Sequence, residues 1–205
     1  MADISERIKK ERSLVVIKPD GIQRGLIGEI IKRYEQTGLK LVGLKMLVPS
    51  PEFVEKHYSI DPEWRVKTGN KTINAYKAQG KTPPFEDPLK ITEIVLGKLK
   101  KYLSSSPVIA LVWQGAGAVN IIRKITGATE PLSSDVGTIR GDFTIDSYDL
   151  ADIDGRAVRN LLHASGSTEE AEKEIALWFK SEELYDYRLI NEAMLYDVNL
   201  DGILE

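Results

Sequence analysis

An α+β sandwich, with one four-stranded sheet covered by helices, is the fold class this sequence predicts. Three observations predict it. Four short apolar runs bounded by glycine, proline or polar residues read as buried strands: 13–18, 39–48, 107–113 and 160–163. Between them, apolar residues recur at helical spacing. The resulting order, β-α-β-α-β-α-β with connections that suit antiparallel neighbours, fits a ferredoxin-like arrangement. Pattern alone leaves a parallel, doubly wound sheet open. A length of 205 residues, 42% of them apolar and 29% charged, suits one globular domain over 1–205 with a sizeable core.

The first run, Ser-Leu-Val-Val-Ile-Lys, ends at Lys18, where Pro19-Asp-Gly21 breaks it. An ammonium at a strand end is cheap only when solvated or paired with an anion; most such lysines are simply surface. Gly25 leads into a helix with Leu26, Ile27, Ile30, Ile31 and Tyr34 on one face. The second strand follows Gly38. Pro51 opens a short helix that ends near His57-Tyr58, with His57 read as a surface or packing residue.

From about 59 to 88 the chain turns polar, with Gly69, Gly80 and Pro83-Pro84 as breakers, and a helix is expected from Trp64 to Lys77. A further helix from Pro88 to Tyr102 aligns Ile91, Ile94, Val95, Leu99 and Tyr102. After the third strand, Gly115-Ala-Gly117 turns into a helix bearing Val119, Ile122 and Arg123. An irregular loop is expected over 131–137, and a long segment over 144–156.

The fourth strand, with Leu161 and Leu162 buried, ends at His163. Small residues 164–167 make a turn, and a helix begins with Ser167 or Thr168 as N-cap, Glu170 completing a capping-box pattern. That helix places Ala171, Ile175, Trp178 and Phe179 on its apolar face and Glu174 on a turn that can fold back towards His163. An imidazole beside a helix start, with a carboxylate in reach, suits an anion-handling nucleophile. A satisfied, half-buried histidine fits the same residues.

Composition excludes several classes. There is no cysteine, hence no disulfide framework or thiolate chemistry. The charged first residues lack the apolar core of a signal peptide, and no apolar run is long enough to span a bilayer, so a cytoplasmic location without membrane contact is expected. Two histidines cannot build a histidine-rich metal site, and no protein metal site is expected. Gly115-x-Gly117 resembles a dinucleotide fingerprint with Asp135 downstream, but Asn120 holds its third glycine position. No Gly-x4-Gly-Lys-Ser/Thr loop is present. Asp197-x-Asn199-x-Asp201-Gly202 starts like a calcium loop but lacks the closing glutamate and helix. From Gly166 onward 11 acidic and 3 basic residues contrast with 20 and 25 before it, so a phosphate-rich ligand would be drawn to the earlier part; a solvated acidic surface fits equally.

Four separated motifs resemble nucleoside diphosphate kinases. They are Lys18-Pro-Asp-Gly21-Ile-Gln-Arg24-Gly25, then Arg123 with Gly127-Ala-Thr129-Glu-Pro131, then Gly137-Thr-Ile-Arg140-Gly-Asp-Phe143, and Asn160-Leu-Leu-His163-Ala-Ser165-Gly-Ser167 followed by Glu172-Lys-Glu174-Ile-Ala-Leu-Trp-Phe179. The resemblance covers most of the chain and implies the ferredoxin-like antiparallel sheet. It implies a ping-pong phosphotransferase in which His163 takes the γ-phosphoryl group of a nucleoside triphosphate and passes it to a diphosphate. By resemblance, Glu174 orients His163 with help from Ser165; Arg123, Thr129 and Arg140 hold phosphates; Lys18 and Asn160 contact the sugar hydroxyls; Tyr58 lines the site. Mg²⁺ is expected to arrive with the nucleotide, and a homo-oligomer, hexamer or tetramer, is expected.

Three positions depart from the family pattern: Ala164 for glycine, Gly166 for aspartate and Val136 for proline. The segment 59–88 makes the link from Tyr58 to the next strand about thirty residues longer than is usual in the family, too long for a plain loop; it is expected to fold as a helical lid, with Trp64, Tyr76 or Phe85 stacking on the base. A catalytically silent nucleotide-binding or scaffold protein on the same fold is the alternative, and it would be expected to lose the His, Lys or Arg positions retained here. Nucleic-acid binding is not expected from a sequence pI near 5.6.

Overall fold

The computed structural model describes residues 10–78 and 80–196; the calcium-loop-like run at 197–202 lies outside them. Four strands form one sheet: β1 (Arg12–Ile17), β2 (Lys40–Leu47), β3 (Val108–Gln114) and β4 (Leu162–Ala164). Their order is β2-β3-β1-β4 and every neighbouring pair is antiparallel. The ferredoxin-like expectation holds, and the parallel alternative is excluded.

β1 explains why the pattern left both open. Leu14 and Val16 pack on one face of the sheet, Val15 and Ile17 on the other, and all four are fully buried. A strand covered on both faces loses its alternation whichever way its neighbours run. On one face lie α1 (Pro19–Gln23), α2 (Ile27–Glu35) and, from the β3–β4 connection, α6 (Ala118–Thr126), with Ile30, Tyr34, Ala118 and Ile122 in the core. Gly117, at φ 65, gives the left-handed turn that starts α6. The other face is covered by α9 (Thr168–Trp178), whose Ile175 and Trp178 pack with Phe53 of α3 (Pro51–Tyr58).

The connection from β2 to β3 carries α3, then α4 (Trp64–Ala78), then α5 (Pro88–Leu103). That from β3 to β4 carries α6, a 3₁₀ turn at Pro131–Ser133, α7 (Ile139–Phe143) and α8 (Tyr148–Ile153). A 3₁₀ turn at Ser181–Glu183 and α10 (Glu192–Tyr196) follow α9. Among the described residues, no helix is long and apolar enough to cross a membrane.

Two local expectations need correction. Residues 19–23, read as a break, make a one-turn helix that starts on Pro19. The fourth strand runs from Leu162 to Ala164 rather than 160–163, because Leu161 has φ 68 and cannot extend it. Asp20 holds this unusual residue by accepting from its N–H at 3.1 Å.

Candidate active site

β4 pairs Val16 with His163, which sets the imidazole beside the end of β1 where Lys18 leaves the sheet. Lys18 N–H reaches the Leu161 carbonyl at 2.8 Å, and the kink at Leu161 turns Asn160 back over the lysine. Residues 142 positions apart are thereby joined: Lys18 Nζ donates to Asn160 Oδ1 at 2.7 Å. Asn160 Nδ2 in turn donates to the Thr129 carbonyl at 2.7 Å. Burial, then the nearby Arg140 cation, lowers the Lys18 ammonium to about 7.

The turn after β4 returns the chain into α9, and Ser167 is its N-cap, accepting from Glu170 N–H at 3.1 Å. Glu170 does not close the capping box on Ser167; its carboxylate accepts from Gly166 N–H at 2.8 Å. A Cβ at residue 166 would meet the end of that carboxylate, which would have to swing aside. A carboxylate remains at the cavity where the family's aspartate is absent. Burial and the neighbouring Glu174 push the Glu170 carboxyl up.

One and a half turns into α9, Glu174 is almost fully buried and faces His163. Its Oε1 lies 2.8 Å from His163 Nε2, and its Oε2 accepts the Ser165 hydroxyl at 2.6 Å. Ser165 Oγ is itself held by Leu14 N–H at 3.1 Å. Burial opposes charge on Glu174, but His163, its hydrogen bond, His57 and Ser165 outweigh that and keep the carboxyl below its ordinary range. An ionised carboxylate only accepts, so Nε2 carries the imidazole proton and Nδ1 presents a lone pair.

Of the two expectations for His57, surface or packing, the structure excludes the surface and bears out packing, here against the candidate acceptor itself. His57 is buried, its ring edge-on to His163 at a centroid distance of 4.5 Å, and its Nδ1 accepts from Trp178 Nε1 at 3.2 Å. A signal was present: His57 follows Phe53 by four and Val54 by three, on the buried face of α3.

The two arginines differ. Arg123, on α6, is exposed at the cavity, and its side chain has no hydrogen bond or ion pair among the described residues. Arg140 is buried and donates to four carbonyls: Asn160 at 3.0 Å, Gly127 at 3.1 Å, Ala128 at 2.9 Å and Leu162 at 2.7 Å. Of its five N–H groups, one on Nη2 is left for a ligand. Burial lowers its guanidinium to about 10.

Lys18, Tyr58, Arg123, Thr129, Arg140, Asn160, His163 and Glu174 all line one cavity of about 600 Å³; Ser165 lies behind it. Tyr58 stacks at 4.9 Å on Trp64, which also lines it. The two long segments meet across this space. Tyr76 of α4 donates to Asp152 of α8 at 2.8 Å, and Lys81 pairs with Asp149 at 3.0 Å. Phe85 does not reach the cavity and lies 44% exposed under Lys90. Charge complementarity for a polyphosphate, a free imidazole nitrogen and room for a base thus coincide in one place.

The model of the family described as nucleoside diphosphate kinase matches residues 11–66 and 90–184. The unmatched 67–89 falls largely within the first long segment. A nucleoside diphosphate kinase of Pyrobaculum aerophilum is 46% identical over 180 residues, covering 86% of this chain and 98% of that protein. Nucleoside diphosphate kinase A of Rattus norvegicus is 41% identical, covering 91% and 97%. A crystal structure of an NDP kinase from Pyrobaculum aerophilum superposes with TM-score 0.83 at 45% identity, over 86% of this chain and all of the other. A nucleoside-diphosphate kinase from Borrelia burgdorferi, solved as a transition state mimic with vanadate and ADP, gives 0.73 at 34%, over 90% and 95%.

Proposed function

Since the chain belongs to the nucleoside diphosphate kinase family and is a phosphotransferase, we propose that it exchanges γ-phosphoryl groups between nucleotides by a ping-pong route through His163. The observation that carries this reading is the 2.8 Å contact of His163 Nε2 with Glu174, which leaves Nδ1 as the nucleophile. In the first half-reaction the Nδ1 lone pair bonds to the γ-phosphorus and the bond to the bridging β-oxygen breaks. The diphosphate leaves with that electron pair. The second half reverses these steps onto a different diphosphate.

Arg123 and the remaining Arg140 N–H would hold the phosphates, with Thr129 beside them. Lys18 and Asn160, already joined, would meet the sugar hydroxyls and the transferring group, and Tyr58 would close the site. The vanadate and ADP bound by the Borrelia burgdorferi relative support placing a nucleotide here.

Mg²⁺ is read as travelling with the nucleotide, where it neutralises phosphate charge. The one potential ligand group among the described residues, His57, His163 and Glu174, offers two imidazole nitrogens and a carboxylate already engaged in hydrogen bonds. That set does not suit an all-oxygen shell. Glu170 faces the cavity and would accept from water on the ion.

A homo-oligomer fits the exposed Leu44 and Met46 of the edge strand β2, Val48 just past it, and the exposed Leu132 and Val136. A chain with no cysteine suits the cytoplasm. The direct test of function is transfer of label from γ-labelled ATP to the pure protein and then to GDP or dCDP. Label that never leaves ATP would overturn the reading.

Lys18 gives a pH signature. Lowered to about 7 in the free site, it is mostly neutral at pH 8, and a bound polyphosphate would raise it again. Binding of GDP at pH 8 should therefore take up a fraction of a proton, and little at pH 6, where the amine is already charged. Calorimetry in two buffers of different ionisation enthalpy reads this directly. Lys18→Met should abolish the uptake; equal uptake in both proteins would place the titrating group elsewhere.

For the base, Trp64 and Tyr76 remain, and Phe85 is set aside because it lies off the cavity. Stacking tolerates every base, so purine and pyrimidine nucleotides should all serve. Alanine at Trp64 or Tyr76 should raise KM about tenfold for one of the two. Unchanged KM in both would mean that α4 walls the cavity without holding the base.

A further inference from the structure

We propose that Trp178 and His57 are positioning residues for the phosphoryl acceptor: the indole fixes the tautomer of His57, and this leaves Glu174 free to fix the tautomer of His163. The inference rests on His163 being the acceptor. Its basis is the crowding at one carboxylate oxygen. Glu174 Oε1 is 2.8 Å from His163 Nε2 and 3.6 Å from His57 Nδ1, while Oε2 is taken by Ser165. Two imidazoles therefore approach Oε1, and His163 has to hold it for its own Nδ1 to stay unprotonated.

Trp178 decides the competition. An indole N–H can only donate, so the nitrogen it reaches, His57 Nδ1 at 3.2 Å, must carry a lone pair. The neutral His57 ring then holds its proton on Nε2 and offers nothing to Glu174. With the proton on Nδ1, a small ring movement would bring an N–H onto Oε1. His163 would lose part of its partner, and its other tautomer, with Nδ1 protonated and unreactive, would gain population.

Two further contacts and the burial of His57 act in the same sense. His57 stands edge-on to His163 at 87°, which also sets the plane of the acceptor ring. Burial, followed by the charge of His163, lowers His57 to about 3, against the opposing pull of Glu174 and with a smaller push from Lys18. His57 therefore stays neutral when His163 is charged. Phe53 packs edge-on against Trp178 at 4.8 Å and holds the indole in place.

The chain has two histidines, so nitrogen-15 correlation spectra of labelled protein contain two imidazoles, assigned with His57→Asn. Without nucleotide, both rings should show the Nε2–H tautomer. Trp178→Phe keeps an aromatic ring beside Phe53 and removes the indole N–H together with the rest of the pyrrole ring. It should shift His57 towards Nδ1–H, move the His163 nitrogens, and slow single-turnover phosphorylation by ATP about tenfold. A wild-type His57 in the Nδ1–H form overturns the proposal, even if the variant fails to fold. So does a Trp178→Phe protein that loses activity with both tautomers unchanged, since that is a packing effect. Failure of the acceptor assignment is separate: it shows as no phosphoryl group on His163, whereas the tautomers are read before any nucleotide is added.

Discussion

His163→Asn should form no phospho-enzyme with ATP and Mg²⁺, and exchange should fall by about 10⁴-fold or more, because nothing else in the cavity can replace the nucleophile. The wild-type adduct should be acid-labile and alkali-stable, since protonating a phosphorylated imidazole turns it into a neutral leaving group. It should also be the Nδ1 isomer, because Nε2 is committed to Glu174 at 2.8 Å. The fold should survive, as an asparagine amide can still donate to the carboxylate and Ser165 retains its bond to Glu174. Phosphopeptide mapping checks both points. Label on Ser165, or full exchange in His163→Asn, would sink the mechanism.

What could be read from the sequence depended on how local each signal was. Burial of β1 and β3 is written in continuous apolar runs, and the helix beginning at Thr168 carries its cap in Ser167 three residues ahead of Glu170. Motif residues identify themselves but not their partners. Arg140 sits in a recognisable run, yet its carbonyl acceptors are at 127, 128, 160 and 162, brought to it only by the path from α6 to β4. The same holds for Tyr76 and Asp152, members of two long segments whose contact no local pattern announces. His57 was hidden for another reason. Polar side chains are mostly exposed, so an imidazole in a short amphipathic helix reads as surface unless its position on the Phe53–Val54 face is weighed.

Arg140→Ala should do two kinds of damage where Arg123→Ala does one. The Arg123 side chain is exposed and has no partner among the described residues, so its loss should lower kcat/KM about a hundredfold, about 2.7 kcal/mol, and leave the urea midpoint unchanged. Arg140 ties the Gly127–Ala128 turn to the chain on both sides of Leu161 through four carbonyls, of which Asn160 also accepts from Leu162 N–H at 2.8 Å and Ala128 from the Ser134 hydroxyl at 3.1 Å. Hydrogen bonds from a charged donor are each worth about 1.5–3 kcal/mol, and the Asn160 and Ala128 carbonyls, which keep a second donor, moderate the loss. Against this stands the cost of burying the cation, visible in its lowered proton affinity. The net loss should be about 2–4 kcal/mol, with activity at least as low as in Arg123→Ala. Arg140→Lys restores a charge but not the fork, so it should recover little stability. Urea titrations of the three variants, each paired with kcat/KM, separate the roles. A normal midpoint in Arg140→Ala would make the arginine a phosphate ligand alone, and a lowered midpoint with full activity would make it a structural tie alone.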